Sequence, residues 1–158
     1  QAIAAHSLSS PHPNPNFFVN RIFFLKHVSL LQSLSLDDLQ LVDQALRQRE
    51  FLAGEIIFEE GSTQDDFFII YRGNVLIRKH IRSTYRDLAR LGSGEYFGDM
   101  ALFEQAPRSA TAIAETDCTL LSLERSHFQS LISHRPEIVM QMCRILSTRL
   151  REANERVD

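Results

Sequence analysis

Phe97-Gly98-Asp99-Met100-Ala101-Leu102-Phe103-Glu104-Gln105-Ala106-Pro107-Arg108-Ser109-Ala110-Thr111 is the most informative stretch of this 158-residue chain. A strand ends just before it in Gly92-Ser93-Gly94, a short turn of helix begins near Asp99, Pro107 closes the loop, and Arg108 stands at the mouth of the next strand. Backbone N–H groups at a short helix N-terminus carry partial positive charge, and Gly98 admits a close approach to the backbone. Arg108 adds a planar fork suited to two phosphate oxygens at once. One arginine plus backbone donors matches a singly charged phosphodiester; a triphosphate site calls for a Lys-bearing P-loop, and no GxxxxGK(S/T) occurs. Asp99 beside an anion cradle is electrostatically unhelpful unless the ligand also offers hydroxyl donors. The pair Asp99 and Arg108 therefore points to one ligand carrying a sugar hydroxyl and a phosphate together.

Around this stretch the chain divides by pattern. Residues 1–15 hold three of the five prolines and few large apolar groups, the composition of a flexible arm or linker. Residues 16–48 read as helices. Phe17, Phe18, Ile22, Phe23, Phe24, Leu25 and Val28 cover more than one face of the first, and Ser35 with Asp38 opens a second through about Arg47. Residues 49–124 break into short β-branched and aromatic runs: Glu50–Ala53, Ile56–Glu59, Phe67–Tyr71, Val75–Ile81, Tyr85–Leu91, Ala110–Ala114 and Thr119–Leu123. Gly54, Gly61, Gly73-Asn74 and Gly92-Ser93-Gly94 punctuate them. Their spacing is that of an antiparallel sandwich or barrel, and no crossover helix interrupts them. Residues 125–158 return to helix, short over Ser126–Ser133 and long from Pro136 at a first helical position. In the long helix Val139, Cys143, Leu146, Leu150, Ala153 and Val157 recur at heptad spacing, while Ile138, Met142 and Ile145 widen the apolar face in its first half only. The early turns should lie on the sheet domain and the later ones should meet another helix, in a homodimer through this C-terminal helix.

Composition narrows the function classes. A chain 44% apolar and 23% charged has the material for a core, which excludes wholesale disorder. A net charge of −3 with no basic block gives no electrostatic footprint for duplex nucleic acid. Cys118 and Cys143 form no CxxC, so neither a disulfide framework nor a four-cysteine metal site is encoded, and the setting reads as reducing and cytoplasmic. No apolar run reaches the ~18–20 residues of a bilayer span. A metal-dependent enzyme in a β-roll needs several inward histidines; of the six only His80 falls in the predicted roll and no HxH occurs, so neither a metal, a cofactor nor an enzyme activity is expected. Ser126 and His127 are adjacent on one short helix and do not face each other as a catalytic pair.

Phe97-Gly98-Asp99-Met100-Ala101-Leu102, then Pro107-Arg108-Ser109-Ala110-Thr111, resembles in order and spacing the phosphate-binding cassette of cyclic nucleotide-binding domains, the family of catabolite-activator-type regulators and protein kinase A regulatory subunits. Gly54-Glu55-Ile56-Ile57, Gly61 and Gly73-Asn74-Val75 resemble the family's roll glycines, and the resemblance runs over about residues 25–157. It implies a mainly β fold, a double-stranded β-helix or jelly-roll of eight strands with an N-terminal helical bundle and a hinge helix and long lid helix at residues 125–158. It implies a cyclic nucleotide ligand, cyclic AMP favoured over cyclic GMP. By carry-over Arg108 grips the cyclic phosphate with backbone amides near Ala101, Ser109 and Ala110, Gly98 permits close packing, Asp99 contacts the ribose 2′-OH, and Met100 of the same cassette is counted with the ligand-binding residues. Ile77, Leu88 and Leu91 are then the apolar residues for the base, and Arg149 is the candidate lid contact. Asp99 departs from the family's usual Glu; one methylene less shortens its reach by ~1.5 Å, and a lost hydrogen bond to a charged group costs about 1.5–3 kcal/mol. The implied role is regulatory: ligand capture relayed through the C-terminal helix to an effector domain outside this chain, with no specific nucleic-acid binding by the chain itself. The alternatives are a degenerate fold serving as an interaction or dimerisation module, and the sensor domain of a transcription regulator without its helix-turn-helix.

Overall fold

The computed structural model describes residues 15–157, so residues 1–14 of the arm expected over 1–15 lie outside the described residues, and Pro15 already belongs to a helix. Helix α1 (Pro15–Lys26) is followed by a 3-10 turn, η1 (Ser29–Leu31), and by α2 (Leu36–Ala45). Ser35 caps α2 by accepting a hydrogen bond from the Asp38 N–H at 3.1 Å. Leu46 is extended and β1 starts at Arg47, so α2 ends two residues before the expected boundary and β1 begins three residues before Glu50. A buried ion pair, Arg21 Nε to Asp43 Oδ1 at 2.6 Å, fastens α1 to α2.

Eight antiparallel strands form two four-stranded sheets. They are β1 (Arg47–Phe51), β2 (Ile56–Phe58), β3 (Phe67–Arg72), β4 (Val75–Ile81), β5 (Thr84–Leu91), β6 (Tyr96–Phe97), β7 (Thr111–Ala114) and β8 (Cys118–Leu123). One sheet has the order β1-β8-β3-β6 and the other β2-β7-β4-β5. The two-residue β6 falls in none of the runs expected from the sequence, being too short to show a period of its own.

Alternation along β3 and β8 explains why the first sheet is apolar on both faces. Phe67, Ile69, Leu121 and Leu123 join the helical core, whereas Phe68, Ile70, Cys118 and Leu120 point into the roll. Phe68 pairs with Phe97 of β6, their rings stacked with centroids 5.2 Å apart. At the β3–β4 turn Gly73 has φ +99°, and a Cβ there would lie 2.5 Å from the Asp117 carbonyl and 2.7 Å from Cys118 Sγ, so only glycine fits.

Helices α3 (Arg125–His134) and α4 (Pro136–Val157) close the fold. Ile138 and Met142 are buried in the helical core, with Val139, Ile145 and Leu146 packed against it. Farther along, Leu150 is 65% exposed, so the apolar face of α4 outlasts the domain that covers its beginning. No helix among the described residues is long and apolar enough to cross a membrane, and none of their His, Cys, Asp and Glu side chains cluster as a metal site.

Candidate functional site

The 97–111 stretch folds into one wall of a cavity of about 430 Å³ that Phe58 and Ile77 of the roll also line. β6 delivers Phe97 to the core, Gly98 turns the chain at φ +81°, and a 3-10 turn, η2 (Asp99–Leu102), follows with Ala101 and Leu102 buried as its anchors. Gly98, Asp99, Met100, Ala101, Arg108, Ser109 and Ala110 line the cavity, and Ile77 of β4 faces them. Lys79 fixes the outgoing end of the cassette by donating to the Ser109 carbonyl at 2.7 Å, while pairing with Glu60 at 3.2 Å.

Arg108 is only 7% exposed. Its Nη2 donates to Gln64 Oε1 and to the Asp66 carbonyl, its Nη1 to the Gly98 carbonyl at 3.3 Å, and its guanidinium carbon stands 3.9 Å from the centre of the Phe58 ring. Nε is buried with no hydrogen-bond partner. Every one of these acceptors is neutral, and among the described residues no carboxylate is within ion-pair distance of Arg108. The Asp66 carboxylate next to it is taken by Arg49 at 3.4 Å. Burial presses the Arg108 pKa below its ordinary value, against the opposing pull of Asp66 and Asp65. Burial likewise raises the Asp66 pKa, with Arg49 drawing it back. Gly98 serves this arrangement: a Cβ there would lie 3.0 Å from Arg108 Nη1 and 3.1 Å from the Asp66 carbonyl. The close packing expected at Gly98 is therefore against Arg108 and the Asp66 carbonyl.

Asp99 lines the same cavity and makes no hydrogen bond or ion pair with described residues, although its charge helps raise the Tyr96 pKa after the larger effect of burial. Tyr96 borders this cavity and a second, of about 320 Å³, in which Leu91 and Arg149 lie. Arg149 donates to the Tyr96 hydroxyl and sits 5.0 Å from the ring centre; its other contact is Ser29 Oγ at 3.5 Å. Leu91 and Arg149 thus stand behind the Tyr96 wall, outside the cassette cavity. Leu88 is the extra residue of a bulge, since Ile77 pairs with Ala89 and Arg78 with Asp87, and the bulge leaves it 50% exposed on β5. Phe58, Tyr96 and Gln64 were not singled out from the sequence. Phe58 lies in a recognised strand run but across a register shift, and Gln64 sits in a polar loop that carries no periodic signal.

A sequence profile described as the cyclic nucleotide-binding domain matches residues 48–135. The cyclic AMP receptor protein of Thermus thermophilus is 33% identical over 135 residues, covering 85% of this chain and 62% of the relative. Among solved structures, the catabolite activator protein of Thermus thermophilus superposes with a TM-score of 0.73 at 34% identity, covering 82% of this chain and 62% of that one. The regulatory domain of Toxoplasma gondii PKA, crystallised with cAMP, gives 0.69 at 27% identity, covering 75% and 46%. The chain therefore spans less than two thirds of the length of these relatives.

Proposed function

Because the chain belongs to the cyclic nucleotide-binding domain family, we propose that it is a regulatory domain that senses a cyclic nucleotide, cyclic AMP in preference to cyclic GMP, and relays its binding to an effector domain. The observation that carries this reading is Arg108: a buried guanidinium with an unpartnered Nε and only neutral acceptors, on the wall of a cavity that also holds Asp99. A buried charge without a counter-charge is costly unless something pairs with it. A monoanionic cyclic phosphate supplies the counter-charge, and charge-assisted hydrogen bonds are roughly twice as strong as neutral ones. The amides near Ala101, Ser109 and Ala110 assist, Asp99 takes the ribose 2′-OH, and Ile77 and Phe58 offer apolar surface to the rest of the ligand. Two relatives support cyclic AMP as the nucleotide: one is a cyclic AMP receptor protein, another was crystallised with cAMP.

The relay runs through Tyr96, which borders the cavity and is held by Arg149 of α4. In this reading α3 is the hinge and α4 the lid, and the exposed distal part of α4 with Leu150 pairs with a second copy. Calorimetric titration with cyclic AMP and cyclic GMP tests the proposal: cyclic AMP binds more tightly, and Arg108→Ala weakens binding by about 2–5 kcal/mol. An absence of heat with both nucleotides at millimolar concentration refutes it.

A further inference from the structure

The arginine assigned to the phosphate is held from behind by the loop between β2 and β3. The Arg108 N–H donates to the Ser62 carbonyl at 2.8 Å and the Gly61 N–H to the Arg108 carbonyl at 2.7 Å, so loop and cassette are joined backbone to backbone. From the same loop come two of the three acceptors of the guanidinium, Gln64 Oε1 and the Asp66 carbonyl. A guanidinium has five N–H donors. Three are taken by Gln64, Asp66 and Gly98, leaving Nε and one on Nη1. Gln64 is the one acceptor of the three that is a side chain, and it is an amide where a glutamate of the same length would form an ion pair.

We infer that Gln64 is a positioning residue for anion capture: its amide oxygen fixes the outer end of Arg108 and, being neutral, leaves the guanidinium charge for the ligand. This rests on the cyclic nucleotide reading above and adds a residue outside the cassette to it. The geometry requires both properties. Without an acceptor at this place the guanidinium is held by two carbonyls and loses part of its fixed direction. With a carboxylate there the geometry stays, yet the charge is compensated internally and a second negative charge stands beside the incoming phosphate.

Titration of the unmodified chain and of Gln64→Glu with cyclic AMP at pH 7.5 tests this, with thermal melting as the check on folding. The substitution keeps an acceptor of equal reach, so a residue needed only for structure would leave affinity unchanged. Expected is a loss of roughly 10- to 100-fold, because the new carboxylate stays ionised against Arg108. Arg49, Asp65, Asp66, Asp99 and Glu124 surround the site in both proteins, so the difference between the two affinities isolates position 64. Affinity within threefold of the unmodified chain overturns the inference. Should Gln64→Glu fail to melt cooperatively, Gln64→Ala decides: a loss of about three- to tenfold upholds the inference, and unchanged affinity overturns it. No heat from the unmodified chain with either nucleotide refutes the nucleotide reading itself, and this inference falls with it.

Discussion

Replacing Gly98 by alanine separates backbone strain from its effect on Arg108, because the chain supplies a matched control. Gly98 has φ +81° and Gly94 has φ +89°, so alanine at either is placed in the left-handed region at a cost of about 1–2 kcal/mol. At Gly94 the new methyl meets nothing within 4 Å, whereas at Gly98 it lies 3.0 Å from Arg108 Nη1 and 3.1 Å from the Asp66 carbonyl. For a chain of this size each kcal/mol moves the melting temperature by about 2–4 °C, so Gly94→Ala should lower it by about 2–8 °C and leave nucleotide affinity unchanged. Gly98→Ala should lower it at least as far, and it must also push the guanidinium away by a few tenths of an ångström. That shift loosens the bond from Nη1 to the Gly98 carbonyl and misdirects the remaining donors. Losing a hydrogen bond to a charged group costs about 1.5–3 kcal/mol, so partial loss should weaken cyclic AMP binding by about tenfold. Differential scanning calorimetry and isothermal titration on both variants give the two numbers. Equal affinity losses at the two positions, or unchanged affinity in Gly98→Ala, would refute the reasoning that Gly98 exists to seat Arg108.

Asp99→Glu lengthens the carboxylate by one methylene and should tighten cyclic AMP binding by about tenfold or more in competition titration; an unchanged or weaker affinity would detach this residue from the ribose hydroxyl. Tyr96→Phe removes the hydroxyl to which Arg149 donates, and hydrogen exchange in the distal part of α4 should quicken. In the unmodified chain burial raises the Tyr96 pKa above its ordinary 10.0, so the stability tied to the neutral phenol is complete below pH 10 and drains away as pH rises through the folded-state value. Tyr96→Phe should lack that part of the alkaline decline, and identical alkaline melting curves would count against it. Cys118 is buried, its Sγ faces the Asn74 and Thr116 carbonyls at 3.2 Å, and burial pushes its pKa up. An aromatic disulfide reagent should therefore modify half-buried Cys143 in the native protein and reach Cys118 only on unfolding, as counting thiols before and after denaturant will tell.

What the sequence made legible is local. The cassette was readable because its turn, its 3-10 helix and its arginine follow one another within fifteen residues, each with a steric or electrostatic reason to be there. The roll was readable from strand runs between glycines, and the first half of α4 from its widened apolar face. Three features escaped, each for a physical reason. β6 is two residues long and exists through Phe97 stacking on Phe68, a contact between strands far apart in sequence. The position of Leu88 depends on a bulge, and one extra residue sends a side chain to the other face of a sheet. The setting of Arg108 depends on Gln64 and Asp66, more than forty positions earlier, brought to it by the pairing of the β2–β3 loop with the cassette exit.

The two most buried arginines of the described residues show what that setting is for. Arg21 and Arg108 are 6% and 7% exposed, so both have lost nearly the same contact with water. Arg21 faces a carboxylate, Asp43, at 2.6 Å, and the pair joins two helices into one bundle. Removing either partner of such a pair strands a buried charge and costs several kcal/mol, which makes it a permanent fastening. Arg108 has been given carbonyls, an amide oxygen and the face of Phe58, while the Asp66 carboxylate beside it is occupied by Arg49. Neutral acceptors hold direction without cancelling charge. The same side chain at the same depth is thus a closed ion pair where the fold needs a joint, and an open half of one where a small anion is to complete it. A carboxylate in reach of Arg108 would have made the domain more stable without ligand and less responsive to it.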